Sequence, residues 1–486
     1  MAGSRFIFRQ PWLLRLTQFI VAVLLMRQIF WSLWGRLNPD EFENAQVLWL
    51  LLHDIWPGRD YYHSHPAFFN FLLYPFYRAC GPTPEMFSWV RAGLLPISLL
   101  PFWQLSRLTQ RVAAEKIVPW LALALFLTAS FAARSLVESR PDTLQVPFIL
   151  AGLLATLAYL DDRHAARARL ATAAVCFGVA LLFGNKVVLV ILATAWALER
   201  FHDRFLHWSF ARRLWRLALF GAVLLVPELL YWGSYAAFGR TDLLRSLFAL
   251  SSLQPLVQPA VALALPRHLL LICLVGPVVI LLGLLGLYGV WRPASEPGMP
   301  SAAVFLLGSS ALALLAQALL MPVNLPHLSV LPLLLLSILA ALWLRRRPGW
   351  VVAGCLLISL LVGIRFDAHQ FETRRRQLDA FRYLLEVAPR DRPILDGYSG
   401  FACFRPIVGR LIYYRPRYFD IPESDEGAAE IIDHLRDRGF AAVVVDPAYP
   451  EMMRGIRTLI ERNYEPSVYP EIRLPRKTVA APDALR

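Results

Sequence analysis

The sequence predicts a polytopic α-helical membrane protein of about 11 transmembrane helices, with a small α/β domain at its C-terminal end. Three observations lead there. The 486 residues are 57% hydrophobic and only 17% charged, where a soluble domain carries about a quarter charged residues. Apolar segments of roughly bilayer-crossing length recur up to residue 364. Beyond it, amphipathic and strand-like runs alternate. The chain therefore divides into a membrane domain, 1–364, and an extracytoplasmic α/β domain, 365–486.

The apolar segments lie near 14–34, 86–106, 116–132, 146–160, 170–184, 187–198, 217–236, 269–291, 301–320, 328–344 and 350–364. The start, "MAGSRFIFRQPWLLRL", is basic before an apolar run and has no small-residue cleavage site, so it reads as an uncleaved first span. The fifth and sixth segments are short and flank "GNK" at 184–186, and they can be read as two spans or as one long bent span. Arginines and lysines in short connections set orientation. Arg107, Arg111 and Lys116, then Arg163, Arg167 and Arg169, then Arg200 to Arg216, then Arg345 to Arg347 all fall on one side if eleven spans are counted. That side is cytoplasmic, with the N-terminus, and it requires an external bend at Lys186. The outer side receives the long first loop, 35–85, and the C-terminal domain. "FENAQVLWLLLHDI" and "AFFNFLLYPFY" in that loop read as amphipathic helices at the outer interface.

In the tail, "FETRRRQLDAFRYLLEVA" reads as an amphipathic helix. "RPILDGY" and "AAVVVD" read as strands, "SDEGAAEIIDHLRDRGF" and "PEMMRGIRTLIERNY" as helices. Asp446, closing the second strand, is a ligand position at a sheet edge or a loop cap.

The net charge of +14 comes from 49 basic and 35 acidic residues, with only three lysines. The basic residues flank apolar spans, so they set topology and do not point to nucleic acid. The five cysteines form neither a CxxC pair nor a zinc-finger spacing. Cys80 and Cys403, both placed outside, leave one bridge open.

The charges on the outer side carry the chemistry. Asp40 and Glu41 follow the first span in "NPDEFENAQ". Asp40 also fits a helix cap or first turn. His63 and His65 follow in "GRDYYHSHPAFF", and at i, i+2 in an extended stretch they point to opposite sides. One of them with Asp40 could hold a divalent metal, and that question stays open. The second outer loop, "ARSLVESRPDTLQV", holds Arg134, Glu138, Arg140 and Asp142, a charge density suited to an aqueous cavity. Lys186 sits between apolar runs, as a snorkelling cation or as one waiting for an anion. Arg91, Arg267–His268 and His327 lie near other outer span ends. Acids and cations facing one outer cavity in lipid match a lipid-linked phosphosugar. The cations would bind phosphate and stabilise the leaving charge, and a carboxylate would act as general base.

At these residues the chain resembles the GT-C superfamily of glycosyltransferases that use polyprenyl-phosphate sugars. The bacterial branch is the closer match, related to the protein O-mannosyltransferases (glycosyltransferase family 39) and to the lipid A aminoarabinose transferase. Three features carry the resemblance. An acidic pair, "PDEFENAQ", follows the first span, with Asp40 matching the catalytic aspartate and Glu41 its neighbour. A His-Pro closes the first loop in "SHPAFFNFLLYPFYRACG", at His65–Pro66, although Ala67 replaces the family's second proline. An acid in the second outer loop, Asp142 in "SRPDTLQ", is followed by a span and a lysine bend, "GNK". The likeness covers roughly 30–340 and is most specific in the first 200 residues.

The resemblance implies an inverting transfer from a polyprenyl-phosphate sugar to a glycan, lipid or protein acceptor at the outer face of the bacterial cytoplasmic membrane. Asp40, Glu41 and Asp142 would be catalytic. Lys186, Arg140, His65, Arg91 and His327 would hold the donor. Some members of the family bind a divalent metal near the acids and others need none. A competing class is a lipid-linked glycan transporter without transfer chemistry, its charges lining a path through the bilayer. The acids here cluster on one side only, which favours an enzyme.

Overall fold

The computed structural model describes residues 11–56, 60–61, 68–161, 167–184, 187–206, 209–237, 276–291, 301–320, 329–368, 374–396, 399–408, 426–445 and 454–476. The chain forms two compact units. One comprises Met1–Leu33, Gly93–Gly239 and Ser252–Phe371, the other Trp34–Ala92, Arg240–Ser251 and Glu372–Arg486.

The first unit is a helical bundle. Helix α1, Pro11–Trp34, buries Leu13, Thr17, Val21, Leu24, Gln28 and Trp31, a stripe at helical spacing, and exposes Phe19, Val23, Met26 and Phe30 on the opposite face. Apolar residues exposed in this way are suited to lipid. By length and composition, Pro11–Trp34, Glu85–Val112, Pro141–Asp161 and Arg213–Ser234 can each cross a membrane, and five shorter apolar helices accompany them among the described residues. The chain is a polytopic membrane protein.

Each predicted span contains a helix, with informative differences. The segment at 116–132 is broken: α6, Val118–Thr128, stops at Ala129, whose ψ of 68° leaves the helical region, and α7, Ser130–Ser135, follows. Eleven residues rise only about 17 Å. Non-helical backbone at such depth persists only where protein covers it. Arg27 of α1 supplies part of that cover, donating from Nη2 to the Leu127 carbonyl at 2.7 Å. Gly363 supplies more, since a Cβ there would sit 2.6 Å from the Thr128 oxygen. The helices after the break are α8, Pro141–Asp161, α9, Arg167–Leu181, α10, Val188–Leu206, and α11, Phe210–Ala237. The fifth and sixth predicted segments therefore form two helices. Helix α9 packs on α8 and α11, and α9 ends in tight turns through Leu182, Phe183 and Gly184.

Three more helices are α12, Pro277–Trp291, α13, Ser301–Leu320, and α14, Val330–Leu344. Helix α10 packs on α13. Helix α14 buries every residue but Trp343, as an all-apolar helix must at the centre of a bundle. It packs most intimately with α12, where Gly283 and Gly286 let the backbones meet at Leu336 and Leu339. Helix α15, Gly349–Ala368, packs on α6 and α7.

The second unit joins the first predicted outer loop to the tail. It contains α2, Pro39–Leu52, α3, Phe68–Leu72, α4, Tyr74–Cys80, and the first turns of α5, Glu85–Val112. Helix α2 was expected to lie one-sided at an interface, but it is buried along most of its length. From the tail come α16, Arg374–Val387, β1, Ile394–Asp396, α17, Glu426–Asp437, β2, Ala442–Val444, α18, Arg454–Asn463, β3, Tyr464–Pro466, and β4, Ile472–Pro475. The sheet order is β1-β2-β4-β3. Strands β1 and β2 are parallel, with Leu395 opposite Val443, and β4 is antiparallel to both its neighbours. Leu395, Ile431, Leu435, Phe440, Val443, Ile456 and Ile460 form the core of this sheet and its helices. The β3–β4 hairpin escaped the sequence reading because β3 begins directly after α18 and both strands end in proline. Cys80 and Cys403 are free thiols, so no bridge joins them, and complete burial pushes the Cys403 thiol well up.

Candidate active site

Within the second unit the acidic pair opens α2. Asn38 is the N-cap, Pro39 takes the first helical position, and Asp40 and Glu41 complete the first turn. The Asn38 side chain accepts from Asp40 N at 3.0 Å, and Glu41 Oε2 accepts from Asn38 N at 2.7 Å, a reciprocal capping box. Asp40 stays half-buried, at a position where a carboxylate stabilises the helix.

Glu41 and Arg91, expected from the sequence as a catalytic acid and a donor ligand, bond to each other. Arg91 donates from Nε to Glu41 Oε1 at 2.8 Å and from Nη2 to Oε2 at 2.5 Å, with both side chains 1% exposed. Its remaining reach goes to the carbonyls of Gly35 and Arg36, each at 2.9 Å. The physical reason is burial: a carboxylate this enclosed needs a bidentate cation, and a guanidinium needs acceptors for its whole fork. Arg374 adds a second buried cation. It donates to Ser88 Oγ at 2.6 Å, and its pKa is pulled down to about 10, by burial first and then by the Arg91 charge, against the pull of Glu41.

The same helix carries residues that sequence reasoning passed over. Glu43 is half-buried like Asp40 and three residues on, so the two share a helical face. That spacing was the available signal. Asn44 Nδ2 donates to the Asp40 carbonyl at 2.7 Å, and Asn70 Nδ2 donates to the Asn44 carbonyl at 2.9 Å, tying α3 to α2.

Within the first unit, the second predicted outer loop forms a buried chain of alternating charge. The Arg134 guanidinium lies 4.5 Å from the Trp31 ring centroid, and its Nε is 3.5 Å from Glu138. Arg140 bridges Glu138 at 3.7 Å and Asp142 at 3.6 Å. Asp142 sits in the first turn of α8, as its capping signature suggested. One turn along, Gln145 Nε2 donates to the carbonyls of Ala180 at 2.9 Å and Gly184 at 2.5 Å, bracing the end of α9. Lys186, His63, His65, His327, Arg267, His268 and Asp446 lie outside the described residues. Among the described residues no group of three or more His, Cys, Asp and Glu side chains is placed to hold a metal ion.

No family profile and no curated protein matches the chain. Solved structures do. ArnT from Cupriavidus metallidurans in the apo state matches with a TM-score of 0.58 at 16% identity, over 91% of this chain and 98% of that one. The same protein bound to undecaprenyl phosphate matches with a TM-score of 0.51 at 19% identity, over 79% of this chain and 74% of that one. The apo oligosaccharyltransferase of Archaeoglobus fulgidus matches with a TM-score of 0.53 at 13% identity, over 98% and 76%. At such identities the likeness is one of architecture, and the architecture is the one the sequence motifs anticipated: the chain has the GT-C fold.

Proposed function

We propose that this protein is a membrane glycosyltransferase. It moves a sugar from a polyprenyl-phosphate-linked donor to an acceptor at the outer face of the cytoplasmic membrane, with inversion at the sugar. The observation that carries this reading is the acid at the head of α2: Asp40 is half-buried in its first turn, and Glu41 beside it is held by Arg91 and the cap. The GT-C architecture supports it, since one structure with that architecture holds undecaprenyl phosphate.

In this mechanism Asp40 takes the proton of an acceptor hydroxyl as its oxygen attacks the anomeric carbon. The bond from that carbon to the phosphate oxygen breaks, and the electron pair leaves with the lipid phosphate. The resemblance implies Arg140 and Lys186 as the cations that stabilise the charge developing there. Asp142 orients Arg140, so its catalytic role is electrostatic. A divalent metal is not required by this scheme, and chelator treatment tests that.

The experiment is release of free polyprenyl phosphate by purified protein, across a panel of polyprenyl-phosphate monosaccharides with candidate acceptors, for wild type and Asp40→Asn. Wild type is expected to turn over one donor, and the variant to lose about 100-fold or more, the scale of general-base catalysis. Normal turnover by well-folded Asp40→Asn would remove Asp40 from the mechanism. Donor binding without release under any condition would favour the transporter reading.

A further inference from the structure

We propose that Gln46 is a positioning residue for Asp40, acting by bolting helix α2 to the tail segment that ends at Arg405; this rests on the reading of Asp40 as general base. Gln46 lies in α2, six residues after Asp40, and is 1% exposed. Both ends of its amide are committed to tail backbone. Nε2 donates to the Arg405 carbonyl at 2.7 Å, and Oε1 accepts from Phe404 N at 2.6 Å and Arg405 N at 3.4 Å.

The receiving segment is itself held in place. Phe404 has φ of 63°, a left-handed conformation that is strained for a bulky residue and persists only where its surroundings over-determine it. Part of that determination is the Gln46 bond to its N–H. Arg405 is fully buried, and its Nη2 donates to the Ala388 carbonyl at 2.9 Å, capping the end of α16. Gly400, with φ of 88°, passes so close to Phe42 of α2 that any side chain would overlap it. At the other end of the turn, Leu37 and Gln377 exchange two hydrogen bonds, at 2.8 and 3.1 Å.

Apolar contact alone lets a helix slide or roll, whereas directional bonds from two amide side chains at either end fix its rotation and its register. The Gln377 bonds at Leu37 and the Gln46 bonds further along α2 bracket the turn that carries Asp40. The tail is thereby part of the catalytic support, in addition to any part it has in choosing the acceptor. A displacement of about 1 Å in a catalytic group costs on the order of 100-fold in rate.

The test uses the full chain with Gln46→Met, which keeps shape and loses the hydrogen bonds, and Gln377→Met as a second variant should the first fail to fold. Expected are a fall in kcat of about 10- to 100-fold with donor KM within about twofold, and faster hydrogen exchange in peptides spanning 39–52. In the Gln46→Met background, Asp40→Asn should cost much less than it does in wild type, because both changes disable one function. An unchanged kcat, or losses that simply multiply, would overturn the proposal. A wild type inactive with every donor would sink the glycosyltransferase reading by itself. In that event the positioning role of Gln46 would fall with it, and exchange across 39–52 would report only on the anchoring of α2.

Discussion

Asp40 and Glu41 are adjacent in the chain and have separate fates, and the difference decides what each substitution should do. Glu41 bonds the buried Arg91 guanidinium at both carboxylate oxygens, and its charge also acts on Arg374. Breaking a buried pair by removing one partner costs about 3–5 kcal/mol. Arg91→Met should therefore lower thermal stability in detergent sharply, since it strips Glu41 and the carbonyls of Gly35 and Arg36 together. Arg374→Met removes the bond to Ser88 together with a cation that burial disfavours, and it should cost less than Arg91→Met. Comparable Tm losses in the two variants would mean that Arg374 is as necessary as Arg91. The sign of any pH effect follows from the lowered value of about 10. Below it Arg374 is charged in both the folded and the unfolded chain, so its cost is present in full and constant. It is relieved only as pH rises above about 10, where the unfolded chain binds more protons. The Tm difference between wild type and Arg374→Met should thus be flat from about pH 6 to 9. The first-turn positions of Asp40 and Asp142 were legible in the sequence, because proline followed by an acid ahead of an apolar run is a local signal. The Arg91–Glu41 pairing was not, because it joins residues 50 apart through burial that no local pattern records.

At the level of the helix, the apolar segments were legible because a helix in lipid must satisfy its own backbone, and that demand leaves a long uncharged run. What the run could not disclose was where a neighbour would interrupt it. Nothing in "VPWLALALFLTASF" marks Ala129 as a break, since Arg27 and Gly363, which cover the loose carbonyls of α6, lie far away in the chain. Arg27→Met should orphan the Leu127 carbonyl and cost roughly 1–3 kcal/mol, with a lower melting temperature and no change in expression as the expected signature. Helix packing gives a matched pair of tests. Gly286 abuts the Leu339 carbonyl so closely that no Cβ fits, whereas Gly354 in α15 faces open space. Gly286→Leu should disrupt the α12–α14 contact and yield protein that aggregates on size-exclusion chromatography. Gly354→Ala should be neutral or stabilising by up to about 1 kcal/mol. Equal behaviour of the two would mean that α12 and α14 do not pack through this glycine.

On the scale of the molecule, the charges of the first unit fall into two layers joined by α8. One end of that helix carries Asp142 with Arg140, Glu138, Arg134 and Trp31. The other end carries Asp161, paired with Arg111 at 3.2 Å, and Tyr159, bonded to Arg216. Between Asp142 and Asp161 the helix rises about 28 Å, close to the thickness of a bilayer's hydrocarbon core. Glu199–Arg213 and Glu115–Arg345 join other connections that the sequence assigns to the Asp161 side. Within this unit the Arg-rich connections thus belong to one layer, and Arg140 and Asp142 belong to the other. By the positive-inside bias, the layer at Asp161 is proposed to be the cytoplasmic one. With the eleven crossings that the sequence predicts, the proposed topology has the tail outside. Alkaline phosphatase fused after residue 486 should therefore be active in cells, and a green fluorescent protein fused there should be dark. A cysteine introduced near Arg346 should resist membrane-impermeant maleimide in intact cells and react once they are opened. A bright fluorescent fusion with an inactive phosphatase would invert the assignment and place Asp40, α2 and the tail on the cytoplasmic side. Donor sugars would then have to be supplied from within the cell, and the reading of an outer-face transferase would fall with the topology.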